Sequence, residues 1–277
     1  MDLALHPTRL PTSLEKWYID ALLDDGTVLL VYLGVLTLAG VRLSRVTAEL
    51  FPPQGTAVRG SATVRQRASG GENILRFGPA SIMGDHLRFA TAGLSGDLVY
   101  RPRYQPCSLR EPFLARGGRS LHWMVEVPDA DVTGTLKWPG GARTVKGRGY
   151  RDRVWFDLMP WNFPIRKLVW GRAVAGTHAA TWVHATTAEG NIASSWLDGQ
   201  IVATHGGSGP PSGVVLHPGR VFLDADVVAL NGLRLGRPSR SLIRKLSGDP
   251  HETKWQAACT IAGNDGMAVH EVVRWQA

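Results

Sequence analysis

The chain is poor in cysteine and in charged side chains, and it lacks a long hydrophobic run. Its 277 residues include two cysteines, Cys107 and Cys259, which cannot build a disulfide framework and match no metal-binding spacing. The apolar run at residues 28–41 is too short to span a bilayer and predicts buried strands instead. No basic start followed by an apolar segment opens the chain, so the N-terminus predicts no secretory signal. By default, we expect a cytoplasmic location.

The common motifs of nucleotide and hydrolytic enzymes are also absent. The sequence has no GxGxxG before a helix, no GxxxxGK[ST], no GxSxG and no HExxH. This argues against nucleotide-dependent enzymes, serine hydrolases with a nucleophile elbow and zinc proteases. We therefore expect neither a cofactor nor a metal.

The charge that is present is mainly positive. The formal net charge is +8, from 31 basic and 23 acidic residues, which fits either a basic soluble enzyme or a protein that binds an anionic surface. The arginines are scattered, and the densest basic group, at residues 234–245, has no aromatic side chains for stacking on bases. We expect no nucleic-acid partner, while association with a membrane surface and the oligomeric state stay open.

Turn-forming residues occur throughout the chain. It contains 32 glycines and 17 prolines, and 44% of its residues are hydrophobic. Short apolar runs bounded by Gly, Pro, Ser or Asp predict an all-β fold of antiparallel strands, with hairpin turns at 24–26 and 263–266. Only residues 237–247 suggest a short helix. The Pro- and Gly-rich segment 101–119 predicts a boundary between domains 1–118 and 119–277.

The most unusual segment is Gly147–Arg172, which combines three tryptophans with five arginines. The tryptophans are Trp155, Trp161 and Trp170. So much aromatic area is rare in a surface loop, and we interpret this segment as the wall of a hydrophobic binding site.

Tyr150 and Asp152 form the first candidate for chemistry. Residues two apart on a strand share one face, about 6–7 Å apart, so both side chains point the same way, while Arg151 and Arg153 point the other way. A carboxyl group buried among aromatics has a raised pKa and can stay protonated near neutral pH. It could then protonate an alkene or donate a hydrogen bond to a carbonyl. The alternative is that Asp152 pairs with a neighbouring arginine.

Glu271 is the second candidate acid. It alternates with Met267, Val269, Val273 and Trp275 on an otherwise apolar strand face. A glutamate there is either a buried site acid or a charge paired with an arginine across the barrel.

Two further aromatic strands carry weaker signals. Trp182 and His184 share a face, but no third ligand is spaced to complete a metal site with His184, so a packed or surface histidine is the simpler interpretation. Trp123 lies on an apolar face with Leu121 and Val125, as expected for a core residue.

Four segments of the chain resemble one family. These are KWYIDALLDDG at Lys16–Gly26, GRGYRDRVW at Gly147–Trp155, LVWGRA at Leu168–Ala173 and VHEVV at Val269–Val273. In this order they resemble the lipocalin-like carotenoid 1,2-hydratases (hydroxyneurosporene synthases), to which tocopherol cyclases and natural-product Diels–Alderases are related. The resemblance implies two lipocalin-like antiparallel β-barrel domains packed together, with a hydrophobic small molecule bound within or between them.

The resemblance also implies roles for particular residues. The Gly-Tyr-x-Asp element that acts on the alkene in the hydratases corresponds to Tyr150 and Asp152, and Trp123 matches a tryptophan that precedes this element. The chain differs from the family where Arg153-Val154 replace His-Asn and where Leu121 replaces a histidine, with His122 displaced by one. We predict Asp152, Tyr150 and Glu271 as catalytic residues. The predicted substrate-binding residues are aromatic: Trp17, Tyr18, Trp123, Trp155, Trp161, Trp170, Trp182 and His184.

Several functions are compatible with this pattern. The first is a cyclase or isomerase that encloses a hydrophobic polyene, polyprenyl or polyketide intermediate and promotes ring closure, largely by restricting its conformation. The second is a hydratase that adds water to an isolated double bond of a carotenoid or terpenoid. The third is a lipid- or pigment-binding protein without catalysis. We expect the first.

Overall fold

The computed structural model describes residues 2–6, 12–38, 40–65, 68–158, 163–202, 209–227 and 249–275. Within these ranges, every bounded element is a β-strand, which confirms the all-β prediction. The suggested helix at 237–247 and the side chain of Trp161 lie outside the described residues. None of the described residues belongs to a helix with the length and hydropathy that crossing a bilayer requires.

The chain divides into two compact units, residues 1–157 and 158–277. The boundary predicted at 118/119 falls instead in the turn between two paired strands of the first unit. The Pro- and Gly-rich segment misled the prediction because the first unit needs the strands that follow it: they pair directly with the first strand of the chain.

In the first unit, the residues that the structure describes form twelve strands in one sheet. Their bounds are β1 (Thr12–Leu23), β2 (Val28–Leu38), β3 (Val41–Phe51), β4 (Val58–Val64), β5 (Ser69–Gly71), β6 (Ile74–Phe77), β7 (Ala80–Met83), β8 (His86–Thr91), β9 (Leu94–Pro102), β10 (Cys107–Arg116), β11 (Arg119–Trp138) and β12 (Gly141–Phe156). The strand order is β4-β3-β2-β1-β12-β11-β9-β8-β7-β6-β5, and β10 pairs with the start of β11.

The first sheet is antiparallel and curled. The predicted turn at 24–26 joins β1 to β2, and Gly26 adopts a φ of 80°, which glycine tolerates without a steric penalty. One face of the sheet carries the main hydrophobic core, whose members on β1 and β2 include Trp17, Ile19 and Val31. The opposite face carries the intervening residues, and this alternation positions the candidate site.

The described residues of the second unit form eight strands in another sheet. Their bounds are β13 (Ile165–Ala175), β14 (His178–Thr187), β15 (Gly190–Leu197), β16 (Gln200–Val202), β17 (Val214–Leu216), β18 (Arg220–Asp226), β19 (Pro250–Ile261) and β20 (Asn264–Trp275). The order is β16-β15-β14-β13-β20-β19-β17, and β18 also pairs with β19. This sheet is likewise antiparallel and curled, and its core cluster includes Trp182, Cys259 and Ala268.

The last hairpin turns two residues earlier than predicted. Ala262 and Gly263 form the turn, with φ values of 50° and 79°, while Asn264 and Asp265 already pair with β19. Two central residues with positive φ give the tight turn that suits the twist of paired strands. The predicted turn at 263–266 was wrong in position because its Asn and Asp are strand residues here.

Candidate active site on one face of the first sheet

The Gly147–Trp155 segment lies in β12, at the centre of the first sheet. β12 pairs with β1 on one side and β11 on the other. Tyr18 is the register partner of Asp152, and Asp20 is the register partner of Tyr150. Because register partners share a face, four polar side chains meet on one side of the sheet. We call this side the Asp152 face, defined by Lys16, Tyr18, Asp20, Tyr32, Trp123, Tyr150 and Asp152.

Asp152 is held by two hydrogen bonds to a single oxygen. The indole Nε1 of Trp123 donates to Oδ2 over 2.9 Å, and the hydroxyl of Tyr150 donates to the same oxygen over 3.0 Å. The other oxygen, Oδ1, is buried and has no hydrogen-bond partner among the described residues. A buried polar atom without a partner is costly. A ligand that forms a hydrogen bond with Oδ1 would remove this cost.

The environment of Asp152 favours its neutral form. Burial raises the pKa of this carboxyl to about 7, and the negative charge of Asp20 also raises it. The ammonium group of Lys16 and the hydrogen bonds from Trp123 and Tyr150 oppose this rise. A carboxyl with a pKa near 7 is substantially protonated at neutral pH and can act as an acid or a hydrogen-bond donor.

The arginines beside Asp152 pair elsewhere. Arg151 forms an ion pair with Glu126 at 2.8 Å, and Arg153 donates from Nε to Glu15 over 2.8 Å. Both arginines lie on the opposite face, as strand alternation predicted. The alternative in which Asp152 pairs with a neighbouring arginine does not occur among the described residues.

Asp20 is a further residue of the candidate site, and the sequence did not single it out. Tyr18 donates to Asp20 Oδ2 over 2.9 Å, just as Tyr150 donates to Asp152. The two Tyr-x-Asp pairs run antiparallel on neighbouring strands, and the rings of Tyr18 and Tyr150 lie 6.1 Å apart. The repeated Tyr-x-Asp spacing in YID and YRD was the available signal. Tyr100 also donates to the backbone carbonyl of Asp20 over 3.1 Å, which ties this strand to β9.

Two predicted binding residues lie on the opposite face from Asp152. Trp17 is fully buried in the main core, and its indole donates to Glu126 over 3.3 Å. Trp155 is stacked between the rings of His6 and His122, with centroid distances of 4.2 and 4.8 Å. The structure therefore brings Tyr18 and Trp123 to Asp152 but not Trp17 or Trp155.

The second unit holds the remaining candidates, and Glu271 forms an ion pair there. Its partner is Lys254, a buried lysine on the neighbouring strand that also contacts Glu252 at 2.6 Å. The ammonium group of Lys254 lies 5.8 Å from the ring centre of Trp170. Glu271 is therefore a paired charge whose partner is a lysine, whereas the sequence suggested an arginine.

Trp182 and His184 share a face, as predicted, but it is the face opposite Glu271 and Trp170. Trp182 lies against Gly171, where a Cβ would come within 2.2 Å of the indole ring. This packing explains the glycine in the LVWGRA segment. No group of three His, Cys, Asp or Glu side chains within the described ranges could hold a metal ion.

Comparison with known proteins identifies the fold. No protein-family profile matches the chain, and no curated protein matches its sequence. Solved structures do match over nearly its whole length. An AttH-type protein of Nitrosomonas europaea is 13% identical and covers 99% of this chain and 95% of its own, with a TM-score of 0.60.

Two other matches carry names that describe a ligand or an activity. CghA, solved with Sch210972, is 16% identical and covers 96% of this chain and 89% of its own, with a TM-score of 0.64. Kievitone hydratase from Nectria haematococca is 10% identical and covers 99% and 94%, with a TM-score of 0.51. At these identities the likeness establishes the two-domain lipocalin-like fold.

Proposed function

We propose that this protein is a cofactor-independent cyclase or isomerase of natural-product biosynthesis. It encloses a hydrophobic polyene, polyprenyl or polyketide intermediate and promotes ring closure, by a Diels–Alder-type or acid-assisted reaction. The observation that carries the proposal is Asp152, a buried carboxyl with a raised pKa and an unpaired oxygen. The fold shared with CghA and kievitone hydratase is consistent with an enzyme of this kind.

The hydrogen bonds of Asp152 determine which oxygen carries the proton. Oδ2 accepts from both Trp123 and Tyr150, so the neutral acid has its proton on Oδ1. A proton on Oδ1 has no acceptor among the described residues and is available to a substrate. Donated to a conjugated carbonyl, it withdraws electrons from the adjacent alkene and lowers the barrier to ring closure.

The other residues of the Asp152 face have supporting roles. Trp123 and Tyr150 hold the carboxyl in one orientation, and Trp123 in turn packs against Phe113 at a centroid distance of 5.8 Å. Tyr18 and Tyr32, with rings 5.4 Å apart, offer aromatic surface for a hydrophobic chain. Restricting such a chain to a folded conformation contributes part of the rate enhancement.

Replacement of Asp152 by asparagine tests the acid. The amide keeps the shape and can accept from Trp123 and Tyr150, but it cannot supply an acidic proton. We expect ring closure of linear polyene substrates to slow by about 100-fold or more. The matched control is Asp97→Asn, which alters an exposed carboxylate paired with Arg88. Near-native ring closure by Asp152→Asn would show that shape alone suffices, and retained ligand binding without any turnover by the native protein would favour a binding protein.

Hydration is a second candidate, and Asp20 is the observation that favours it. Hydration of a double bond needs an acid and an acceptor for the proton released by water. Asp152 would protonate one alkene carbon, water oxygen would bond to the other, and the released proton would pass to the Asp20 carboxylate. Reaction in ¹⁸O-labelled water distinguishes the two: a hydrated product carries the label, and a cyclised isomer does not.

A further inference from the structure

A second feature of the Asp152 face lies two residues away along β1, at Lys16 rather than at Tyr18. We call the residues that pair across the strands at this level a row. Lys16 is the register partner of Gly34, and Gly34 is the register partner of Arg45. These three residues therefore share the Asp152 face on β1, β2 and β3. Neighbouring strands lie about 4.8 Å apart, so the two cations are anchored roughly 10 Å from each other with the glycine between them.

Gly34 leaves open space beside Lys16. A Cβ built on Gly34 would meet no atom within 4 Å, and its backbone has no positive φ that would require glycine. Most glycines in the paired strands of this protein are instead crowded: at Gly147 and Gly149, a Cβ would lie 2.1 and 2.4 Å from its neighbours. Gly34 thus marks open space rather than close packing.

Lys16 is a half-buried cation beside this space. Its ammonium group lies 5.5 Å from the ring centre of Tyr32, and its charge lowers the pKa of Asp152. Arg45 donates from Nη2 to the hydroxyl of Ser61 on β4 over 2.6 Å, so its guanidinium is held on the side of β3 away from Gly34. Charged groups on this face also include Asp20, Asp152 and the ion pairs Arg148–Asp129 and Arg59–Glu49.

We propose that Lys16, with the open space at Gly34 beside it, binds an anionic oxygen group of the substrate, such as a carboxylate or the enolate of an acidic dicarbonyl. This inference rests on the proposed function, because it assigns the polar end of the molecule whose hydrophobic chain reaches Asp152. Gly34 lies two strands away from Asp152 across the sheet and two residues away along the strand direction. The two Cα atoms are therefore roughly 12 Å apart. The substrate is therefore an amphiphile with its anionic group several bonds from the double bond that reacts.

A pair of fluorescent probes tests the charge requirement. cis-Parinaric acid is a polyene with a carboxylate, and its methyl ester has the same chain without the charge. At pH 8 the carboxyl is ionised, and we expect the native protein to bind the acid at least about tenfold more tightly than the ester, equivalent to about 1.4 kcal/mol. In Lys16→Met, this preference should fall to within about twofold, since the side chain keeps its length but loses its charge.

Two further variants make the result specific. Gly34→Leu occupies the open space, where its Cβ would meet no atom within 4 Å, so it should weaken binding of the acid by about tenfold while the protein stays folded by circular dichroism. Lys137→Met removes an exposed lysine on β11 and should leave the acid-over-ester preference unchanged. An unchanged preference in Lys16→Met would overturn the proposal.

Other outcomes separate this inference from the proposed function. Equal binding of acid and ester by the native protein would overturn the anionic site but leave a hydrophobic pocket for catalysis at Asp152. Binding of neither probe would count against both. Sedimentation with phosphatidylglycerol vesicles that is lost in Lys16→Met, without acid binding, would mean that this row contacts a membrane surface and would also overturn the proposal.

Discussion

Asp152 owes its properties to three neighbours that the chain brings from different strands. Trp123 on β11 and Tyr150 on β12 orient one carboxyl oxygen, while Asp20 on β1 adds a negative charge. Burial is the largest cause of its raised pKa. A charged carboxylate is costly in such a place, and natural sites commonly sacrifice stability for a reactive group.

The raised pKa predicts a pH-dependent gain in stability for Asp152→Asn. The folded protein holds the Asp152 proton up to a pKa of about 7, whereas the unfolded chain releases it near the ordinary aspartate pKa of 3.8. The native state is therefore favoured by this group below about pH 4, and that contribution is lost as the pH rises through 7. An asparagine never ionises, so its free energy of unfolding should exceed that of the native protein at pH 8, by an amount on the order of a few kcal/mol.

Urea unfolding at pH 5 and at pH 8 checks this prediction. The advantage of Asp152→Asn should be clearly larger at pH 8 than at pH 5. If Asp152→Asn differed from the native protein by the same free energy of unfolding at both pH values, the carboxyl would not be buried in the way described. Asp97→Asn, at an exposed position, serves as the control and should show no such dependence.

Removing each of the two charged neighbours of Asp152 should shift the pKa of Asp152 in opposite directions. Asp20 raises the pKa of Asp152 and Lys16 lowers it. Asp20→Asn should therefore lower the pKa of Asp152, and Lys16→Met should raise it. Titration of the Asp152 carboxyl carbon by ¹³C NMR measures both shifts directly, and two shifts in the same direction would contradict this arrangement of charges.

The strands place each candidate by alternation and register. On β12, Tyr150 and Asp152 point to one face, whereas Arg153 points to the other and binds Glu15. Arg153 also stacks on Trp17, with its guanidinium 4.6 Å from the ring centre, and contacts the backbone carbonyls of Asp2 and Ala4. One strand thus supports the acid on one side and anchors the start of the chain on the other.

Packing of β13 against β14 predicts a strong effect of Gly171→Ala. The added methyl would lie 2.2 Å from Trp182 Cζ2, so the indole or the backbone must shift. We expect a loss of about 1–3 kcal/mol in the stability of the second unit, typical of overpacking. Thermal unfolding followed by near-UV circular dichroism, which reports tryptophan packing, measures the loss. At Gly209 an added Cβ meets nothing within 4 Å, so Gly209→Ala should be nearly neutral.

At the scale of the whole molecule, each unit has its own sheet and its own core. Seven arginines of the first unit form ion pairs with carboxylates. Among the described residues, these ion pairs include Arg59–Glu49, Arg88–Asp97, Arg103–Asp129, Arg143–Asp25, Arg148–Asp129, Arg151–Glu126 and Arg153–Glu15. Arginines paired in this way are less able to contact phosphates.

This local pairing predicts weak binding to nucleic acid. At 150 mM salt, we expect affinity for duplex DNA no tighter than the non-specific range of about 10⁻⁴–10⁻⁶ M. Fluorescence anisotropy with a labelled duplex measures it across salt concentrations. Submicromolar binding with a steep salt dependence would contradict the prediction and favour a nucleic-acid partner.

The sequence by itself determined the all-β class, the hairpin at 24–26 and the shared face of Tyr150 and Asp152. These follow from local properties: turn residues set the hairpin, and strand alternation sets the face. Alternation also separated Arg151 and Arg153 from Asp152. What no local pattern could supply is which strands become neighbours.

Only the tertiary structure decided that β1 lies beside β12, and with it the site. That pairing brings Asp20, Tyr18 and Lys16 to Asp152 from more than 130 positions away along the chain, while it leaves Trp17 and Trp155 on the other side. It also places the domain boundary after residue 157 rather than after residue 118, because residues 119–157 complete the sheet begun by β1. The physical reason is that backbone pairing between distant strands depends on the whole sheet, and burial of a carboxyl depends on everything packed around it.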